Sequence, residues 1–405
     1  MLIYQILMVL ALPGLLLAAL IRGGLRERLG FVPPPQERAG PRLWLHGASN
    51  GELTSARWVV EALLAARPGL QMLVTANSAT GRAMVAGWDL PGVVAAFAPL
   101  DTAGAPGRVL DLWEPQALVV IENELWPSRV AAADRRGVAV LVIGGRMSER
   151  SASRWARAGG LIRGTLARVS WLSAQDAGSL ARYRALGLAE AAAGPLVALK
   201  AQGGAAAGPL PFAPPAPRDR VLLAASTHEG EEEIALEGFL AARNQFDLLI
   251  LAPRHPRRSA EVQEMLDRRG VAYALRSRGE AAVHPVYLAD TLGEMAGWYA
   301  MAGACLIGGS FAPRGGHTPW EPARAGCALL HGPDVENFAA PFARLDAGGG
   351  ALRLSRPEDL GAALRGLTAA RQAGLAAVAA DMLAPQDGGE PVVQAVLRVL
   401  DGRAA

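Results

Sequence analysis

The chain is nearly devoid of lysine: its 405 residues carry 40 lysines and arginines together, and Lys200 is the only lysine. No basic block alternates with aromatics, so nucleic acid is not an expected partner. Only two cysteines are present, Cys305 and Cys327. They cannot staple a chain of this length, so the bulk is expected to fold in a reducing compartment. Six histidines show no metal-ligand spacing, and no metal site is expected. No G-x-x-x-x-G-K-[ST] is present and no G-x-G-x-x-G opens either half, which excludes kinase-like and dinucleotide readings. Charge is also scarce, at 19% of residues with a net +3, against 51% hydrophobic residues. That balance excludes disorder and calls for a large core or a membrane contact. The length suits two α/β domains better than one.

Residues 2–21 carry no charge at all. Twenty helical residues at 1.5 Å each match a bilayer core of about 30 Å. Arg22, Arg26 and Arg28 follow directly and nothing basic precedes. This order argues against a cleaved signal peptide and places the following chain on the cytoplasmic side of a membrane, behind a single-pass anchor; the resemblance named below makes that membrane the inner membrane. Pro13 and Gly14 leave room for a tilted or interfacial segment, and a buried core helix is the plain alternative.

After Val32-Pro33-Pro34-Pro35 the chain takes up a strand–helix rhythm. Apolar runs at 42–46, 72–75, 117–121 and 139–143 read as buried parallel strands, with amphipathic stretches at 53–66 and 128–136 between them. Residues 191–219 are rich in Ala, Gly and Pro and read as a linker. The rhythm resumes at 221–225, 248–251, 304–307 and 328–331. The expected organisation is therefore an anchor and basic flank (1–28), a first Rossmann-like domain (29–190), the linker (191–219), and a second Rossmann-like domain (220–405), which the resemblance named below makes the acceptor and donor domains. Two such halves are expected to face across a cleft, with chemistry on the loops after the strands.

Those loops carry distinctive residues. His46-Gly47-Ala48-Ser49-Asn50-Gly51-Glu52 leads from a strand into a helix, and Glu52 reads first as a helix-start cap, with a general base as the alternative. Near a helix N-terminus its pKa should fall, unless burial raises it. Glu122-Asn123-Glu124-Leu125-Trp126-Pro127 ends the 117–121 strand. Its two carboxylates would point the same way were the strand to continue, and an N-cap role for one of them is the alternative. Arg146-Met147-Ser148-Glu149-Arg150 reads as surface charge or an anion site. In the second half, Glu231 to Glu233 open a helix and read as complements to its dipole. Arg254 and His255, in Pro253-Arg254-His255-Pro256, suit a phosphate. Gly308-Gly309-Ser310 offers backbone N–H groups to an anion, and Glu321 on the next helix is placed for ribose hydroxyls. Together these three features point to a nucleotide.

Taken in order, the motifs resemble the 3-deoxy-D-manno-octulosonic acid (Kdo) transferases of lipopolysaccharide synthesis. They are Ser49-x-Gly51-Glu52, Glu122-x-Glu124-Leu125-Trp126-Pro127, Arg146-Met147-Ser148-Glu149-Arg150-Ser151, Ser226-Thr227-His228-Glu229-Gly230-Glu231-Glu232, Pro253-Arg254-His255-Pro256, Asp290-Thr291-Leu292-Gly293-Glu294, and Gly308-Gly309-Ser310 through Glu321-Pro322. The resemblance implies an α/β GT-B glycosyltransferase, with inverting, metal-independent transfer from CMP-Kdo to the lipid A precursor and no cofactor. It places the base at Glu52 and the acidic motif at Glu122 and Glu124. It places CMP contacts at Arg254, His255, Gly308, Gly309, Ser310, Glu321 and Asn337. Another GT-B enzyme, such as a lipid A disaccharide synthase-like transferase, is the alternative. The chain departs from the family pattern at Gly194-Pro195-Leu196-Val197, where a lysine is usual and Lys200 comes three positions late. Thr318, Asn50 and Ala48 also differ.

Overall fold

In the computed structural model, residues 2–37, 39–102, 104–202, 210, 212–384 and 389–403 are described. The middle of the expected linker, 203–209 and 211, lies outside them, as does the side chain of Arg22. Two compact units emerge: Met1–Gly203 with Pro385–Ala405, and Gly204–Ala384.

Unit 1 holds six parallel strands: β1 (Arg42–Gly47), β2 (Gln71–Ala76), β3 (Val93–Phe97), β4 (Ala117–Ile121), β5 (Ala139–Gly145) and β6 (Trp171–Ala174). Their order is β3-β2-β1-β4-β5-β6. Both faces of the sheet are covered, which is why the central strands read as unbroken apolar runs. Leu43, Leu45, Val119 and Ile121 face one cluster, and Trp44, Leu118, Val120 and Val142 face the other. Short polar side chains start the helices: Ser49, Ser78, Ser148 and Asp176 each accept a backbone N–H from three residues on.

Unit 2 holds seven parallel strands: β7 (Val221–Thr227), β8 (Leu248–Pro253), β9 (Tyr273–Leu275), β10 (Val286–Leu288), β11 (Ala304–Ile307), β12 (Ala328–His331) and β13 (Ala351–Arg353). The order is β13-β12-β11-β7-β8-β10-β9. Each sheet reverses its winding once, between β1 and β4 in unit 1 and between β7 and β11 in unit 2. Loops leaving those strand pairs diverge to opposite faces and leave a crevice at each carboxyl edge.

The C-terminal segment corrects the expected boundary. The helix Glu390–Leu400 packs on unit 1 and not on the second domain assigned to 220–405. Val392, Ala395 and Val396 join the core that contains Leu43, Val119 and Leu141, and Gln116 Nε2 donates to Leu400 O at 3.1 Å. The buried residues of that helix share one core cluster with unit 1 residues.

The N-terminal helix, Leu2–Arg22, contains the one stretch among the described residues long and apolar enough to cross a membrane, Ile3–Ile21. One face of it lies against unit 1. Tyr4 Oη donates to Asp101 Oδ2 at 2.8 Å, while Leu100 N, one residue earlier, donates to Arg28 O just past the helix's other end. The first turn of this helix and the short helix Leu25–Arg28 that follows it therefore touch unit 1. Tyr4, Met8, Leu12, Leu15 and Ala19, spaced as one helical face, are at least half-covered. Ile3, Leu7, Leu10, Leu17 and Ile21 stay exposed on the other. Arg28 is also drawn inward, donating to Asn77 O at 2.7 Å over the Phe97 ring.

Val396→Ala tests the returned helix, because Val396 is fully buried in unit 1. The variant is expected to lose about 2 kcal/mol of stability. Hydrogen exchange should quicken in β4 and β5 and not in β11 and β12; quickening confined to unit 2 would refute the assignment.

Candidate active site

In unit 1 three carboxylates meet at the β1/β4 reversal. Ser49 caps the helix Asn50–Ala66, and Glu52 turns back in its first turn. Ala48 N donates to Glu52 Oε2 at 2.7 Å and Ser49 Oγ to Oε1 at 2.9 Å. This is the capping geometry anticipated for a helix-start glutamate. The electrostatics go the other way. Burial raises the Glu52 carboxyl to about 7, the negative charges of Glu122 and Glu124 add to the rise, and the Ala48 and Ser49 hydrogen bonds oppose it. The expected dipole effect is outweighed.

Glu122 and Glu124 do not point the same way. The strand ends at Ile121, and Glu122 takes a left-handed φ of 55°, which breaks the alternation. Glu122 Oε1 pairs with Lys200 Nζ at 3.0 Å. Glu124 Oε2 accepts from Trp126 Nε1 at 2.6 Å and Asn77 Nδ2 at 3.2 Å, and meets His46 Nε2 at 3.4 Å. Neither glutamate caps the following helix, Pro127–Asp134. Asp101 does so instead, accepting from Ser128 N and Arg129 N at 2.8 and 2.7 Å.

Behind this loop lies a buried arginine that sequence reasoning missed. Arg129 is 2% exposed, over the Trp44 ring, and its Nε and Nη1 have no hydrogen-bond partner among the described residues. Burial opposes its charge, while Asp101 and Glu124 support it. Burial also raises the Glu124 carboxyl, but the His46 and Trp126 hydrogen bonds and the Arg129 charge overcome that and hold it well below the usual range. His46 is kept neutral, at about 4, chiefly by burial and then by Arg129. A neutral His46 that donates Nε2–H to Glu124 accepts the Thr75 hydroxyl at Nδ1, 3.0 Å away. Asn123 Oδ1, between the two glutamates, is buried without a partner among the described residues.

In unit 2 the corresponding reversal gathers the expected nucleotide loops, with one correction. The glycine-loop amides already hold a carboxylate: Gly309 N, Ser310 N and Phe311 N donate to Glu231 at 2.6, 3.0 and 2.9 Å. Glu231 was expected only to complement its helix dipole. Ser310 is fully buried, its Oγ donating to Ile307 O and accepting from Gly332 N. Gly308 is glycine because a Cβ there would lie 2.4 Å from Ser226 O. Asn337 clamps the neighbouring loop, with Nδ2 donating to Arg314 O at 2.6 Å, and a Cβ on Gly315 would sit 2.6 Å from that nitrogen. Asp290 and Glu294 are also internal: Asp290 accepts from Ser277 N and Ser259 Oγ, and Glu294 pairs with Arg276.

Arg254 and His255 are exposed just after β8, and the Arg254 side chain makes no hydrogen bond among the described residues. Glu321 is exposed in the first turn of the helix Trp320–Arg324. Beside Arg254 lies a pair that sequence reasoning did not single out: His228 and His317 stack, their Nε2 atoms 3.1 Å apart. Burial first, then the neighbouring cations and imidazoles, lowers His317 to about 4. His228 and His255 are lowered as well, again mainly by burial. Thr318 Oγ1 is buried with no partner among the described residues. Unit 2 thus presents an unengaged guanidinium, neutral imidazoles and an orphaned hydroxyl at one strand edge.

Glu231→Ala would take the acceptor from the Gly309, Ser310 and Phe311 amides of the loop and from His228 N, at a cost of roughly 1–3 kcal/mol for each that is buried. Exchange at Gly309, Ser310 and Phe311 is expected to rise at least about tenfold while β8 is unchanged. Unchanged exchange at the loop would show that Glu231 does not hold it.

Three comparisons bear on this geometry. A family model for 3-deoxy-D-manno-octulosonic-acid transferases (kdotransferases) matches residues 23–202. The chain is 36% identical over 354 residues to the 3-deoxy-D-manno-octulosonic acid transferase of Bordetella pertussis, covering 80% of each. It is 29% identical over 352 residues to that of Haemophilus influenzae, covering 84% of this chain and 81% of the relative. Among solved structures, UDP-GlcNAc 2-epimerase from Neisseria meningitidis matches with a TM-score of 0.61 at 13% identity, over 88% of this chain and all of that one. MurG from Acinetobacter baumannii matches at 0.53 and 13% identity, over 89% and 100%. At that identity the two structures speak for the fold alone, the GT-B type with two parallel-sheet domains. The Bordetella relative, at 36% identity over 80% of each chain, speaks for more: the chain is a glycosyltransferase and belongs to the 3-deoxy-D-manno-octulosonic acid transferase family.

Proposed function

We propose that this enzyme moves Kdo from CMP-Kdo to the glucosamine 6-hydroxyl of the lipid A precursor in one inverting, metal-independent displacement, with Glu52 as general base. The observation that carries the reading is the Glu52 carboxyl, raised to about 7 beside a Glu124 that stays ionised. A base working near neutral pH needs a pKa near the working pH. In the displacement the acceptor oxygen bonds to the anomeric carbon and the bond from that carbon to the CMP phosphate oxygen breaks. The hydroxyl proton passes to Glu52. Attack opposite the leaving group inverts the centre.

Glu122 and Glu124 support the base by their charge, and the Lys200 and Trp126 contacts fix where that charge lies. CMP is already a fair leaving group, so the donor side has to hold phosphate charge and orient the sugar. Arg254 offers the guanidinium, with His255 and His228 beside it and Glu321 placed for the ribose. Gly308, Gly309, Ser310 and Asn337 shape the donor loop, with its amides held by Glu231. The helix Leu2–Arg22 is the membrane anchor in this reading. It lies in the interface of the inner membrane, one face on unit 1 and the exposed apolar face in lipid, with the catalytic units cytoplasmic.

The test pairs two variants assayed with CMP-Kdo and tetraacyl lipid A precursor in detergent. Glu52→Gln is expected to cut turnover roughly 10²–10⁴-fold and leave CMP affinity unchanged. Arg254→Ala is expected to weaken CMP binding by about 1.5–3 kcal/mol. A Glu52→Gln enzyme that keeps more than about a tenth of wild-type turnover reduces Glu52 to a helix cap.

A further inference from the structure

The helix Glu149–Arg157 buries none of its residues. Its half-covered side carries Ala152 and Trp155, which pack on the second core cluster of unit 1. Arg150, Arg154 and Arg157, at i, i+4 and i+7, share the opposite face, and all three are exposed. None of the three makes a hydrogen bond or ion pair among the described residues. That sets them apart in a unit whose arginines are mostly engaged: Arg82 with Glu27, Arg136 with Asp111, Arg168 with Asp134. The helix's own acid, Glu149, pairs with Arg182 at 3.4 Å. Three unbalanced guanidinium groups therefore line one face for about 10 Å, seven residues at 1.5 Å each.

The position matters as much as the charge. The helix follows β5, the strand beside β4 in the sheet that carries the three carboxylates. Tyr183 Oη ties the two places together, donating to Glu122 O at 3.3 Å and Arg146 O at 3.4 Å. Glu124 stays ionised beside Glu52 and repels any phosphate that an acceptor carries there. An anionic acceptor that presents a hydroxyl to Glu52 must place its phosphates elsewhere on unit 1. Lys200 is held by Glu122 and Arg129 is buried. Planar guanidinium groups bind phosphate oxygens in pairs and are suited to this task.

We propose that the face formed by Arg150, Arg154 and Arg157 docks the phosphate groups of the acceptor glycolipid, a phosphorylated disaccharide whose free hydroxyl reaches Glu52. This rests on the acceptor reading above and adds the subsite that holds the acceptor's charge. It assigns the phosphates to the protein's own rim and not to the general anionic charge of the bilayer.

The test uses the full chain in neutral maltoside micelles and the triple variant Arg150→Gln/Arg154→Gln/Arg157→Gln. Hydrogen exchange at residues 149–157 is expected to slow when bisphosphorylated tetraacyl diglucosamine is added. It should stay unchanged with the phosphatase-treated glycolipid or with phosphatidylglycerol at equal charge. The triple variant should lose the protection and raise the acceptor KM at least about tenfold, with kcat changed less than about twofold. Equal protection by phosphatidylglycerol, protection by the dephosphorylated glycolipid, or an unchanged KM overturns the proposal. The exchange readout does not need turnover. Protection without transfer therefore sinks the acceptor reaction and leaves the docking face, while transfer without protection does the reverse.

Discussion

Like charges crowded at one strand edge are the constraint on which unit 1 is built. Three carboxylates cannot all ionise in a partly dry crevice without counter-charges. The chain supplies them unequally. Glu124 receives hydrogen bonds from Trp126, Asn77 and His46 and the field of Arg129; Glu122 receives Lys200; Glu52 receives two local hydrogen bonds and, among the described residues, no ion pair. The proton therefore settles on Glu52. The linkage has a definite sign: the contribution of Glu52 to stability is fully present below its ordinary 4.5 and is lost as pH rises through about 7. A group whose ionisation the fold resists is one ready to take a proton from a substrate.

Unit 2 solves a related problem in the opposite sense. Its glycine loop collects backbone N–H groups that would be costly to leave unpaired, and Glu231 satisfies them from inside the fold. The loop is then fixed before any ligand arrives, and Arg254 nearby is left with no side-chain hydrogen bond among the described residues. The left-handed residues Glu122 and Ser226 mark where each sheet turns out of its central strand. Both sit at the reversal of strand order, where α/β sheets bind their ligands.

Much of this was legible in the sequence because parallel strands buried on both faces leave apolar runs. All eight runs read as strands became strands, within two residues at each end. The missed strands gave weaker signals. β3 is a half-exposed edge strand, β6 opens with Trp171 and includes a serine, and β9, β10 and β13 have three residues each. The site residues lay on the expected loops, since strand ends are fixed by the runs that precede them. Their pairings were not legible. Whether Glu231 reaches Gly309 or Lys200 reaches Glu122 depends on contacts 78 residues apart, which no local pattern encodes. The return of Glu390–Leu400 to unit 1 was hidden for the same reason: an amphipathic helix shows that it has a partner and not which one.

The raised carboxyl at Glu52 is the centre of the account, and a carbon-13 NMR titration of the glutamate carboxyls reads it directly. The resonance that disappears in Glu52→Gln is predicted to titrate with a midpoint near 7. A midpoint near the ordinary 4.5 would mean that Glu52 is ionised like any helix-start glutamate, and the proton accounting that singles it out as the base would be wrong.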